Sequence, residues 1–143
     1  MLSTTSKYAI RAVIYIALYA SPEKKKGLKE ISTELGIPQP FLGKILQVLS
    51  RHKILDSSKG PHGGFTLKKP AIDISLMEIV DIIDGTDAFN LCLIRNSTCS
   101  KESPCSLHDK VESYRKGLRS TLLTETIAHL ASEFRKGNEK IRI

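Results

Sequence analysis

A mainly α-helical chain with one small β-hairpin is predicted, on three observations. Apolar residues recur at helical spacing through most of the sequence. Two short strand-like runs flank the glycine-rich tip Gly60-Pro61-His62-Gly63-Gly64. One stretch without periodicity, residues 86–106, holds all three cysteines. The expected organisation is a winged helix-turn-helix unit over 1–85, a cysteine-bearing loop over 86–106, and a dimerisation helix with a short terminal helix over 107–143.

The elements follow in order. Thr5 and Ser6 are placed to cap a first helix that runs to Ala20, with Ala9, Val13, Ile16 and Ala17 on its apolar stripe. Ser21-Pro22 ends it, and residues 23–27 read as a solvated basic loop. Leu28, Ile31 and Leu35 mark a short helix stopped by Gly36. In "GIPQPFLGKILQVLSRHKIL", Phe41, Leu42, Ile45, Leu46 and Leu49 keep helical spacing, and Pro40 suits a first turn. Two helices joined at a glycine turn form a helix-turn-helix, whose second helix is shaped for a DNA major groove.

The hairpin in "ILDSSKGPHGGFTLKKP" follows directly and reads as a wing. Lys59, Lys68 and Lys69 can reach phosphates or a minor groove there, and His62 in the tip reads as a solvent or phosphate contact. Ser75-Leu76-Met77-Glu78 is a capping box at the start of a helix carrying Ile79, Ile82 and Ile83, ended by Gly85. After the cysteine stretch a long helix is expected over about Leu107 to Leu122, with Val111, Tyr114, Leu118 and Leu122 near heptad spacing. Nothing nearby in sequence covers that stripe, so pairing with a second copy is expected. Thr126 caps a last helix bearing Ile127, Leu130 and Phe134.

Charge placement points the same way. Residues 1–70 carry 12 Lys and Arg against 4 acidic residues, whereas 71–143 carry 10 against 11. A basic first half joined to a neutral second half suits binding to a polyanion, double-stranded DNA foremost, with an anionic membrane surface as the competitor. The longest apolar run, Ala12 to Ala20, is too short to span a membrane, and a cytoplasmic protein is expected. No phosphate-binding glycine loop, serine triad or paired acids are present, and Cys105 near His108 alone makes a poor case for an enzyme.

The cysteine stretch, "CLIRNSTCSKESPCSLH", spaces its donors as C-x6-C-x5-C-x2-H, from Cys92 through Cys99 and Cys105 to His108. Wide gaps let a loop wrap a group with thiolates on several sides, as iron-sulfur ligation tolerates. A zinc ion could also take three cysteines and one histidine, although the usual C-x2-C knuckle is lacking. A thiol redox switch is the third reading, because three cysteines cannot all pair within one chain. Arg95, Lys101 and Lys110 stand near enough in sequence to offset thiolate charge.

The chain resembles the BadM/Rrf-type bacterial transcriptional regulators, and within them the iron-sulfur cluster regulator (IscR-like) branch. The resemblance rests on "SKYAIRAVIYIA", "ISTELGIPQPFLGKILQVLSRHKIL", "KGPHGGFTL", "SLMEIVDIIDG", the cysteine segment and "TIAHL", in that order over nearly the whole chain. It implies a homodimer whose long penultimate helix crosses the partner, and an iron-sulfur cluster, 2Fe-2S, on Cys92, Cys99, Cys105 and His108. Another branch holds 4Fe-4S through an acid early in the partner's first helix, where this chain has Lys7. Two departures stand out: the first cysteine gap is one residue longer than the IscR-like pattern, and Lys59 stands where a wing arginine is common. The exposed surface from Gln39 to Gln47 is this chain's own, which makes Gln39, Lys44 and Gln47 the candidate DNA contacts on the helix and Lys59, His62 and Gly63 those on the wing.

Overall fold

Helix α1 (Thr4–Tyr19) occupies the centre of the molecule, as seen in a computed structural model that describes residues 2–137. Ala9, Ala12, Val13 and Ile16 are fully buried along one side of it, where α3, α4 and α6 pack. Burying an Ile or Leu here contributes about 1.5–3 kcal/mol, so Ile16→Ala would strike the core directly. The cap differs from expectation. Ser3, not Thr5 or Ser6, caps α1 by accepting from the Ser6 amide at 3.0 Å, and the Ser3 amide donates to Asp84 Oδ2 at 3.1 Å. Ser6 has turned inward and is buried.

Helices α2 (Leu28–Leu35) and α3 (Gln39–Arg51) meet at Gly36, whose φ of 71° closes α2 in the left-handed conformation that glycine adopts freely. Leu42, Ile45, Leu46 and Leu49 bury one face of α3, but Phe41 at the edge of that stripe is 58% exposed. Strands β1 (Leu55–Ser58) and β2 (Gly64–Leu67) pair antiparallel, Leu55 opposite Leu67 and Ser58 opposite Gly64. The basic loop before α2 is only partly solvated. Lys26 pairs with Phe65 through backbone bonds of 3.2 and 2.8 Å, adding a third rung beside the wing. Its side chain is buried against Glu30, 2.9 Å away.

Helix α4 (Leu76–Asp84) begins at Ser75, whose hydroxyl accepts from the Glu78 amide at 3.1 Å. The other half of the expected capping box is absent, because the Glu78 carboxylate faces Lys69 instead. Helices α5 (His108–Thr124) and α6 (Ile127–Gly137) complete the described residues, with the Thr126 hydroxyl accepting from the His129 amide as the sequence predicts. α5 packs along α4, and α6 returns to α1. Of the α5 stripe Leu122 is buried, whereas Tyr114 is 76% exposed. The architecture is thus mainly helical with a two-stranded hairpin, as expected.

Candidate functional site

Two surfaces carry chemistry. On the first, Gln39, Lys44 and Gln47 project from the exposed side of α3. Together with Leu28, Pro40 and Gly43 they line a shallow cleft where α2 meets α3. A Cβ at Gly43 would stand 3.4 Å from Leu28 Cδ2, an ordinary contact. The wing tip presents Lys59 and His62 to solvent.

Gly63 serves the wing through its backbone. Its amide donates to the Gly60 carbonyl at 2.9 Å, and a Cβ would lie 2.4 Å from the Ser58 carbonyl oxygen. Lys68 is exposed, but Lys69 is held by Glu78 and is not a free wing cation. Lys25, within the run read as a solvated loop, donates instead to Ser58 Oγ at 2.7 Å and braces β1.

The second surface is the cysteine loop, and backbone pairing explains how its distant thiols meet. The Cys92 amide donates to the Ser97 carbonyl at 2.9 Å and the Cys99 amide to the Asn90 carbonyl at 2.8 Å, around a Leu91–Thr98 bridge. This miniature hairpin sets Cys92 beside Cys99. The His108 amide donates to the Cys105 carbonyl at 2.9 Å, which fixes Cys105 to the start of α5. The three sulfurs lie within 4.8 Å of one another.

His108 adjoins this triad through Cys99, with Nδ1 3.1 Å from the sulfur, and both residues are 7% exposed. Backbone amides surround the thiols. Ile94 and Arg95 donate to Cys92 Sγ at 3.4 and 3.3 Å, and Cys105 donates to Cys99 Sγ at 3.4 Å. The Cys105 amide, then His108, bring the Cys99 thiol down to about 6, and the amides of Ile94 and Arg95 lower Cys92. Cys105 moves the other way: the Leu107 amide favours its thiolate, but burial and the neighbouring thiols outweigh it.

Such donors fit a metal. Thiolates bound at about 2.3 Å to one tetrahedral ion stand about 3.8 Å apart, which the triad accommodates. An iron-sulfur cluster shares its ligands among irons and asks the same residues to open outward. Two arginines brace the loop. Arg95 Nη2 donates to the Ser103 carbonyl at 2.7 Å, and its guanidinium lies beside the Cys92 and Cys99 sulfurs. Arg115 on α5 donates to the Leu91 carbonyl at 2.6 Å. The sequence singles out Arg95 by proximity, but nothing in spacing marks Arg115, 24 residues from its acceptor.

A basic helix pair, a glycine-tipped wing and a loop of convergent thiols define a winged-helix DNA-binding transcriptional regulator with a cysteine centre able to hold metal. The chain belongs to the Rrf2 family, whose model, described as an iron-dependent transcriptional regulator, matches residues 2–133. It is 32% identical over 130 residues to an HTH-type transcriptional regulator of Aquifex aeolicus (strain VF5), covering 90% of this chain and 89% of that one. It is 30% identical over 129 residues to the protein rrf2 of Nitratidesulfovibrio vulgaris, covering 90% and 85%.

Among solved structures it superposes on IscR of T. potens with a TM-score of 0.77, 21% identity and coverage of 97% and 91%. CymR, the global cysteine regulator of B. subtilis, gives 0.75, 20%, 93% and 97%. The family model and the Aquifex relative are both described as transcriptional regulators. No helix of the described residues is long and apolar enough to cross a membrane.

Proposed function

We propose that the protein is a cytoplasmic homodimer that binds double-stranded promoter DNA with an affinity set by an iron-sulfur cluster, 2Fe-2S, on Cys92, Cys99, Cys105 and His108. The observation that carries this reading is the convergence of three sulfurs within 4.8 Å of one another, with His108 Nδ1 3.1 Å from Cys99 Sγ. A cluster placed here supplies a redox- and iron-responsive charge. The reducing cytoplasm keeps the three thiols available.

The chain's own residues connect this centre to the DNA-reading surface. His108 opens α5, α5 packs on α4, and Glu78 of α4 grips Lys69 at the foot of the wing. A change in how His108 and Cys99 sit therefore has a contiguous packed route to the hairpin. Pairing of two copies is supported by the bareness of α5, where Tyr114 and Leu123 stand exposed. Two wings in one dimer would address successive turns of a duplex.

Anaerobic purification tests the cofactor, through visible absorption with iron and sulfide analysis of wild type beside Cys92→Ala, Cys99→Ala, Cys105→Ala and His108→Ala. Coloured wild type with equal iron and sulfide, lost in the variants, is expected. The compactness of the triad favours one second reading, a single zinc ion, and colourless protein with stoichiometric zinc would establish it. Promoter fragments titrated with loaded and metal-free protein then report the regulation. Sedimentation gives the oligomeric state.

A further inference from the structure

Among the described residues, Cys99 and Cys105 are each tied to the first turn of α5. Cys99 meets the His108 ring at 3.1 Å, and the Cys105 carbonyl accepts the His108 amide at 2.9 Å. Cys92 has no direct bond to that turn: its amide pairs with the Ser97 carbonyl in the Leu91–Thr98 hairpin that also carries Cys99, and the Arg95 side chain ties its turn to the Ser103 carbonyl. Its sulfur is held by the amides of Ile94 and Arg95, which belong to its own turn and move with it. The hydrogen bond that fastens its arm to α5 comes from Arg115, which donates to the carbonyl of Leu91, the residue before Cys92, at 2.6 Å.

Arg115 lies seven residues after His108, two helical turns and about 10.5 Å further along the same helix. The two side chains thus grip the loop at separate points of one rigid element. We infer that Arg115 is the positioning residue for Cys92, holding its arm in register with the other two thiols so that all three reach a metal together.

This inference rests on the metal-binding reading above and goes beyond it, because it assigns one thiol's placement to a side chain outside the ligand set. A guanidinium on a carbonyl is a charge-assisted bond, stronger than a neutral one. Removing the donor should loosen the outer, Cys92 strand of the hairpin more than Cys99 and Cys105, which keep their own bonds to the start of α5. A general packing role would disturb all three alike.

The test uses the full chain, reduced and anaerobic, with cobalt(II) as the metal probe and N-ethylmaleimide as the thiol probe. Arg115→Met keeps the aliphatic stem and removes the donor, and Arg115→Lys restores a cation able to reach the carbonyl. In Arg115→Met the thiolate-to-cobalt band should fall by about a third, two thiolates remaining of three. Alkylation of Cys92 alone should quicken about tenfold, the scale of one lost charge-assisted hydrogen bond. Arg115→Lys should recover both signals in large part.

A wild-type band and protected Cys92 in Arg115→Met would overturn the inference, as would equal exposure of all three cysteines with helix content intact. Failure of the wild type to bind cobalt would count against the metal reading instead. Selective alkylation of Cys92 in the metal-free variant would still decide the role of Arg115.

Discussion

Lys69 Nζ lies 2.7 Å from Glu78 Oε1 and 2.9 Å from Oε2, joining the end of the wing to the first turn of α4. Both side chains are about one-third exposed, at 33% and 32%, so solvent screens the pair but does not abolish it. Such a pair is worth up to about 1 kcal/mol. A double-mutant cycle of Lys69→Ala and Glu78→Ala, followed by denaturant unfolding, should show a coupling of about 0.5–1 kcal/mol. Each single variant should also weaken DNA binding, because the hairpin loses its strut. Unchanged affinity in Glu78→Ala would show that the wing needs no such support.

The wing is also defined by two glycines with different demands. Gly64 has φ 144°, and a Cβ there would lie 2.7 Å from the Lys26 carbonyl oxygen. Gly63 is blocked by the Ser58 carbonyl oxygen at 2.4 Å and the Lys59 carbonyl group at 2.7–2.9 Å, both within the hairpin itself. Alanine at either site forces backbone to move, at about 1–3 kcal/mol each. Gly64→Ala should be the more widely felt, since it also parts the Lys26–Phe65 rung. Chemical denaturation measures the first effect, and hydrogen exchange at the Phe65 amide the second.

On the surface proposed to face DNA, lysines and glutamines should separate by their salt dependence. Lys44→Ala and Lys59→Ala should each reduce the slope of log affinity against log salt by about 1 and weaken all duplexes alike. Gln39→Ala and Gln47→Ala should leave the slope unchanged. If these amides read base edges, each costs about 1–3 kcal/mol on the preferred sequence and relaxes one position in a selection from random duplexes. A slope change for Gln47→Ala would move that residue to the phosphate backbone.

His129 provides a pH signature on α6. Its hydrogen bond to Glu125, and that carboxylate's charge, raise the imidazole above its usual value. A raised folded value means that the contribution is fully present below the ordinary value of about 6.5 and fades as pH rises through the folded one. The difference in melting temperature between wild type and His129→Gln should therefore be largest near about pH 5 and fade as pH rises past the ordinary value and through the raised folded one. A difference that stays constant with pH would assign His129 to packing alone.

How much of this was legible in the sequence depends on the range of the interaction. Helix spacing, the Gly36 stop, the Thr126 cap and the glycine tip are local patterns, and chain neighbours enforce them. Phe41 and Tyr114 keep the spacing of buried neighbours yet stand exposed, because periodicity shows which residues share a face and not where its edge ends. Lys26 reads as a solvated loop charge and Lys69 as a wing cation until Glu30 and Glu78 meet them. One half of the capping box fails for the same reason, since Lys69 competes for the carboxylate that would have folded back, while Ser75 still caps the Glu78 amide. Cysteine spacing marks the donors, but the miniature hairpin that gathers them and the reach of Arg115 arise only once the loop is docked on α5.

The thiols themselves should differ in the metal-free protein, although they lie within 4.8 Å of one another. Only a thiolate attacks an alkylating agent, so the pH dependence of each rate follows that thiol's own ionisation. The amide of Cys105 and the ring of His108 hold Cys99 at about 6, whereas burial and its thiol neighbours raise Cys105 above the ordinary value. Cys99 is 7% exposed, which slows every reagent by the same factor at each pH and leaves the shape of its profile intact. Peptide-resolved alkylation with iodoacetamide should therefore show the Cys99 rate levelling off above about pH 7, while that of Cys105 is still climbing at about pH 9. His108→Ala removes one of the groups that stabilise the Cys99 thiolate and should shift its profile upward, with the Cys105 amide and the Arg95 guanidinium keeping it below that of Cys105. Identical profiles for the two cysteines would mean that the amide-lined arrangement around Cys99 does not persist in solution without metal.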